Sequence, residues 1–374
     1  MTLIKFPKEL LPPISIALFS LIFSLLVLPA ISLNLFQNPR LIEYGTYEAW
    51  NIWDAPHYLD IADNWYVSTG EDANWIVFLP LYPILVAAAE YIPFLGILHA
   101  GYLVSAVTSI GSAMVFYKLL RLDESQKTSF MSVTALFLFP TSFFLFLPYP
   151  ESTFLLLILL SFYNLRKGNF LIGSVFAMLA TSSKIAGLAL VPVIFVEFVL
   201  HHIRFQKPAK LLKAFLTLNL PIAGFLFYLL INYQIFGDIF YFQKAQGQNW
   251  NTGFYPVIPG FKQAVSFTSD YEFETRMYLG FGQIASFILA FVTVVYSWFS
   301  LRKTYFYYSL AFFVIYSSMS FWLSFPRYLL SLFPLFIMLG RFSANWIFMA
   351  LWVFFSLILL FVFGIIALEH GPVL

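Results

Sequence analysis

Cysteine is absent from the 374 residues. Disulfides, thiolate catalysis and cysteine-held metal are therefore excluded. Charge is scarce as well: Asp, Glu, Lys and Arg make up 10% of the chain, against about 25% in an ordinary soluble domain. A net charge of +2 gives no ground for expecting nucleic acid. No Ser/Gly linker or low-complexity tract divides the sequence, and no repeat of about 20–50 residues stands out. Residues 1–374 thus read as one polytopic domain.

What is present is apolar and aromatic. Hydrophobic residues reach 61% and aromatics 21%, with 47 Phe. No soluble core hides that much apolar surface, so lipid is the solvent for most of the chain. Phe suits lipid-facing and helix-packing positions, while Tyr and Trp suit the interface. The first apolar stretch, 14–35, follows Lys5 and Lys8. It is too long for a signal-peptide core and reads as an uncleaved first membrane helix.

A membrane-spanning helix needs about 20 apolar residues. Eleven stretches are candidates, with an uncertainty of about two: 13–35, 97–118, 128–147, 151–165, 169–183, 185–200, 213–236, 278–301, 304–323, 328–341 and 344–368. Those within 151–200 and at 328–341 are short, as broken or tilted helices lining a cavity are. Two polar segments interrupt the series. The first outer loop covers 36–96 and is expected to carry amphipathic helices. Its last part, 75–96, is apolar but broken by Pro80, Pro83, Glu90 and Pro93, and reads as interfacial or re-entrant. The second outer loop, 237–277, is rich in Gln, Gly, Asn and Tyr.

Charge sets the expected orientation. With the N-terminus cytoplasmic, Lys5, Lys8, Lys118, Arg121, Lys127, Arg166, Lys167, Arg204, Lys207, Lys210, Lys213, Arg302, Lys303 and Arg341 fall inside, 14 of the 20 basic residues. That is the usual cytoplasmic excess. The basic run 201–213 reads as a topology signal and a contact for anionic lipid. Acids divide the other way, and seven of them crowd 36–78 against the single base Arg40. The polar face that could hold a reaction is therefore the outer one, extracytoplasmic or lumenal.

Within that loop, W-D-A-P-H-Y-L-D-I-A-D-N-W-Y at 53–66 places Asp54, His57, Asp60 and Asp63 close together. With Pro56 in the first turn, Asp54 falls near a helix N-cap. His57, Asp60 and Asn64 then share one face, and Tyr58, Ile61, Ala62 and Trp65 the other. Capping and solvation account for this pattern as readily as chemistry does. His57 and Asp60, at i and i+3, supply only two metal ligands, too few for a good site; no metal or other cofactor is expected.

Four ordered segments carry a resemblance: 53–66; F-L-P-L-Y-P at 78–83; L-F-P-T-S-F-F-L-F-L-P-Y-P-E-S-T-F-L at 138–155; and P-R-Y-L-L-S-L-F-P-L at 326–335. Together they resemble the PIG-V-like mannosyltransferase family, within the GT-C class of membrane glycosyltransferases that use polyprenyl-phosphate sugars. Leu79 departs from a common second Phe, and Pro56 and His57 from common small or aromatic residues. The resemblance implies an all-α membrane fold with a GT-C-like arrangement. It also implies transfer of a sugar, mannose by this likeness, from a polyprenyl (dolichyl-type) phosphate to a hydroxyl of a glycan, glycolipid or protein. The route is inverting, with a single carboxylate as base.

Such chemistry needs a base for the acceptor hydroxyl and a cation for the departing phosphate. Asp54 is the candidate base. Arg327, ahead of a short apolar helix, is the candidate phosphate clamp, with an interfacial anchor as its plain alternative. Lys184, between two short apolar halves, reads as facing the same cavity, paired with Glu151 or with phosphate, with a simple outer turn as its plain alternative. Glu151 starts a helix, where its charge suits the dipole, and is structural or substrate-binding. His57 and Asp60 complete the candidate substrate contacts. The aromatic and amide residues of 241–255 resemble either a carbohydrate-facing lining or an interfacial belt. A transporter or flippase of lipid-linked sugars is the rival reading, but such proteins often show repeats with ionisable groups in both halves.

Overall fold

The computed structural model describes residues 7–205, 211–250, 253–255, 257–269 and 271–373, the side chains of 202–205 and 211–213 excepted. The basic run 201–213 and Asn251 and Thr252 of the second outer loop thus lie largely outside the described residues. Apart from one β-bridge, Phe254 with Met319, the regular structure described is helical.

Five helices among the described residues are long and apolar enough to cross a membrane: α1 (Lys8–Phe36), α5 (Ile97–Leu120), the Ala214–Phe236 part of α10 (Leu211–Phe236), α13 (Phe273–Ser300) and α17 (Trp346–Leu368). Two bent pairs raise the number to seven if each is one span. Glu71–Val77 meets α4 (Leu81–Glu90) at 112°, and α15 (Phe325–Ser331) meets α16 (Phe333–Phe342) at 80°. The expected eleven spans are not reached. Helix α7 (Glu151–Arg166) shows how a helix can join the two ends of the protein and still fall below this length criterion. At 16 residues it is about 24 Å long, short of the roughly 30 Å hydrocarbon layer, and it is buried along most of its length among α5, α8 (Phe170–Ser183) and α9 (Leu190–Phe205). Its residues are apolar because they face protein. Composition alone does not separate that environment from lipid. The 128–147 stretch differs for another reason: α6 (Gln126–Phe137) stops early, and 138–150 folds as buried turns rich in proline.

The first outer loop folds as expected into short amphipathic helices, α2 (Pro39–Ala49) and α3 (Ala55–Asn64), followed by the bent pair. Asn38 caps α2, its Oδ1 accepting from the backbone N–H of Arg40 and Leu41. The bend at residues 78–80 falls where Pro80 interrupts the apolar run, as backbone chemistry requires. Trp53 (φ 55°) and Trp65 (φ 64°) bracket α3 in left-handed conformations. For side chains this large, such geometry costs on the order of 1–3 kcal/mol each. Trp65 lies past the helix and is exposed, so it does not join the apolar face predicted for it. The second loop carries α11 (Tyr241–Asn249) and α12 (Ile258–Ser266). Helix α11 packs on Glu71–Val77, and so joins the 36–96 and 237–277 segments.

Apart from the exposed Asp238–Lys244 pair, the ion pairs described sort into two layers. Asp123–Arg166 (2.8 Å), Glu124–Arg341 (3.0 Å) and Glu197–Arg302 (3.2 Å) lie at one end of the helices. Asp54, Glu151, Lys184 and Arg327 gather at the other. Helix α7 joins the layers, with Glu151 its first residue and Arg166 its last. The separation is therefore about 24 Å. One test follows. Glu43→Cys in α2 and Asn169→Cys in the α7–α8 turn are both exposed. Each should react with an impermeant maleimide from only one side of a sealed vesicle, and from opposite sides. Labelling of both from one side would defeat the two-layer arrangement.

Candidate active site

Four segments distant in sequence build the polar layer. The loop before α3 brings Asp54. Its backbone N–H donates to the Tyr149 hydroxyl (3.2 Å), which itself donates to the Ile52 carbonyl (2.7 Å). Glu151 follows Pro150 as the first residue of α7. Lys184 is extended (φ −148°, ψ 141°) at the break between α8 and the turn of helix Ile185–Ala189. That turn folds back so closely that a Cβ on Gly187 would sit 2.6 Å from the Thr181 backbone nitrogen, so only glycine fits there. Arg327 sits in α15. Gln283 ties the start of that segment down by donating to the Leu323 carbonyl (2.8 Å) and accepting from the Phe325 N–H (2.9 Å). The Thr141 hydroxyl donates to the Pro326 carbonyl (2.9 Å).

The charged atoms form a ladder of alternating sign. Arg327 Nη2 lies 2.9 Å from Asp54 Oδ2, and Arg327 Nε lies 3.1 Å from Glu151 Oε1. Lys184 Nζ donates to the same Oε1 at 2.7 Å. Two anions and two cations leave the ladder neutral, which is the condition for burying charge at all. Side-chain exposure falls from 24% at Asp54 to 6% at Arg327 and 4% at Glu151, and is 14% at Lys184. Asp54 is the wet end. Aromatic rings wall the cations. Arg327 Cζ lies 5.2–5.4 Å from the centroids of Phe144, Tyr149 and Tyr328, and Lys184 Nζ lies 5.1 Å from that of Tyr328. Tyr328 is in turn stacked on Tyr316 at 4.3 Å. Rings at this range favour a cation electrostatically.

The hydrogen bonding is less complete than the charge balance. Arg327 Nε and Nη1 are both buried and meet no acceptor in bonding geometry, and neither does Glu151 Oε2. The Nε–Oε1 approach is thus a charge contact and not a directed hydrogen bond.

Of the six candidate residues, Asp54, Glu151, Lys184 and Arg327 come together. Asp54 occupies the N-cap position of α3, yet its side chain makes no cap bond; it is turned to Arg327. Arg327 is buried, not the interfacial anchor considered as its alternative. Lys184 pairs with Glu151, as one of its two readings had it. His57 and Asp60 stay outside the ladder. The His57 ring packs on Trp75 (4.9 Å) and Phe78 (5.3 Å), and its Nδ1 is buried without a partner. Burial pushes its pKa down, while Asp54, Asp60 and Asp72 pull the other way. Asp60 accepts from Asn64 along its own helix (2.8 Å), and Asp63 is exposed. Among the described residues no group of three or more His, Asp or Glu is placed to hold a metal ion. Tyr149, Phe144 and Tyr328 fell inside the quoted motifs but drew no role from sequence. The only signal available was their place within the 138–155 and 326–335 segments.

The fold is similar to that of ArnT from Cupriavidus metallidurans, solved bound to undecaprenyl phosphate. The TM-score is 0.52 and the identity 14%, over 83% of this chain and 60% of ArnT. The chain thus spans about three fifths of that protein's length. The oligosaccharyltransferase of Archaeoglobus fulgidus, solved tethered through a disulfide bond to an acceptor peptide containing the NVT sequon, aligns at TM-score 0.45 and 12% identity, over 96% of this chain and 55% of that one. No protein-family model and no curated protein sequence matches the chain. The described chain is accordingly a helical, multi-pass integral membrane protein whose fold is like that of ArnT.

Proposed function

We propose that this protein is a membrane glycosyltransferase that moves a sugar, mannose by its PIG-V-like motifs, from a polyprenyl phosphate to a hydroxyl of a glycan, glycolipid or protein. The observation that carries the reading is the pairing of a water-accessible carboxylate, Asp54, with a buried guanidinium, Arg327, that has unused donors. These are the base and the phosphate clamp the reaction needs, side by side. Likeness in fold to a protein solved with undecaprenyl phosphate supports it.

Before substrate binds, Arg327 holds Asp54. The donor phosphate takes up the free guanidinium donors and draws Arg327 away from Asp54. The acceptor oxygen then attacks the anomeric carbon while its proton passes to Asp54. The carbon–oxygen bond to phosphate breaks, its electrons staying on the phosphate oxygen beside Arg327. A phosphate monoester leaves as a stable anion, so no acid is needed. One displacement inverts the anomeric centre. Glu151, with one oxygen shared by two cations, is a poor base and does not compete. The N-terminus is cytoplasmic and the Asp54 layer extracytoplasmic or lumenal, in keeping with the basic-residue bias.

The test is transfer itself. Purified protein in liposomes containing polyprenyl-phosphate [³H]mannose and membrane glycolipid extract should move label to an acceptor, with release of polyprenyl phosphate. Movement of intact lipid-linked sugar between leaflets, without release, would establish the transporter reading instead.

A further inference from the structure

Glu151 Oε2 stands out among the buried polar atoms. Its carboxylate is 4% exposed and its other oxygen already serves Lys184 and Arg327, yet Oε2 has no hydrogen-bond partner. Leaving a buried acceptor unpaired costs about 1–3 kcal/mol, more when the group is charged. In the same cluster Arg327 Nη1 is a buried donor without an acceptor. The two orphans do not satisfy each other. A ligand that offers a hydroxyl to the first and an anionic oxygen to the second, a short distance apart, would satisfy both.

Resting on the transfer reading above, we infer that Glu151 is a specificity determinant that reads the C2 hydroxyl of the transferred sugar. The phosphate that accepts from Nη1 is attached at C1. Because Glu151 touches the same guanidinium, the hydroxyl that reaches Oε2 is the one on the carbon next to C1. The ring oxygen on the other side of C1 has no proton to give. Oε2 and Nη1 are both closed off while Arg327 holds Asp54, so the sugar would reach Oε2 as the phosphate draws Arg327 away, from the side of Asp54, the most exposed ladder member. A bond from the C2 hydroxyl to a carboxylate strengthens as the ring carbon gains positive charge, so Glu151 favours the transition state as well as the substrate. Lys184 is the positioning residue here: it occupies Oε1 and leaves Oε2 to the sugar.

The experiment compares kcat/KM for polyprenyl-phosphate mannose and its 2-deoxy analogue, in wild type and in Glu151→Gln. In wild type the missing hydroxyl should lower kcat/KM by about 10²-fold, the scale of a lost bond to a charged group. In Glu151→Gln the gap should narrow to about 2- to 10-fold, since a neutral amide oxygen accepts more weakly. An unchanged gap in Glu151→Gln overturns the assignment and returns Oε2 to a buried water. Should Glu151→Gln fail to fold, wild type alone decides: 2-deoxy, 4-deoxy and 6-deoxy donors are compared, and equal losses at all three positions overturn it. Failure of wild type to transfer any polyprenyl-linked sugar sinks the transferase reading and this inference with it. Normal transfer with no C2 effect sinks only the inference.

Discussion

Asp54→Asn should fold and insert normally, yet transfer sugar about 10²- to 10⁴-fold more slowly, the usual worth of a general base. The replacement keeps the size of the side chain and removes its basicity. No helix cap is lost, because the Asp54 side chain makes none. Losing this pair leaves one excess positive charge in the ladder, but Arg327 keeps Glu151 and Asp54 is its more exposed partner, so the cost should stay below the roughly 3–5 kcal/mol of removing a fully buried partner. Donor affinity should hold or improve, since the phosphate no longer competes with a carboxylate for Arg327. The effect therefore belongs in kcat, measured with saturating polyprenyl-phosphate sugar, and not in KM. Asp60→Asn and Asp63→Asn are the controls. Asp60 is engaged with Asn64 and Asp63 faces water, so each should lose far less. Near-normal turnover in Asp54→Asn would remove Asp54 from the chemistry and leave it a partner for Arg327.

Much of this site was legible from residue types alone. Asp54, Glu151, Lys184 and Arg327 are ionisable groups inside or beside apolar runs, where charge is costly and seldom idle. The sequence did not show that they meet. Glu151 and Arg327 are separated by 175 residues of mostly apolar chain, and no local periodicity reports a contact at that range. Proline placement exposed the break within 75–96, because backbone chemistry acts locally, whereas the break at Lys184 showed only as a charge between two short apolar halves. The count of eleven spans stays unconfirmed for a converse reason. Hydropathy registers burial without saying whether lipid or protein does the burying, and α7 is covered by protein. The buried tyrosines escaped for a related reason. In a chain with 22 Tyr, the one whose hydroxyl pins the Asp54 loop looks like any other until Ile52 and Asp54 are seen beside it.

Arg327→Ala should be the most damaging single change, in two measurements at once. Arg327 is the centre of the ladder and the partner of both carboxylates. Without it Glu151 keeps only Lys184, while Asp54 loses its ion-pair partner. Removing one member of a buried ionic cluster typically costs about 3–5 kcal/mol, because the opposite charge is left behind in a poor solvent. Thermal unfolding in detergent should fall accordingly. An interfacial anchor would tolerate alanine without harm to the fold; a buried Arg327 does not. Activity per folded molecule should also fall, by about 10²- to 10³-fold at limiting donor, the scale seen when one preorganised donor to a developing anion is removed. Arg327→Lys separates the two effects. A lysine restores one positive charge to the layer, so much of the stability should return. A single ammonium at the end of a shorter stem does not reproduce the planar fork that addresses Asp54, Glu151 and phosphate together, so donor KM should stay high. The diagnostic pattern is thus stability rescued ahead of catalysis. Full transfer by Arg327→Ala at limiting donor would show that Arg327 only neutralises its carboxylates and that the departing phosphate is held elsewhere.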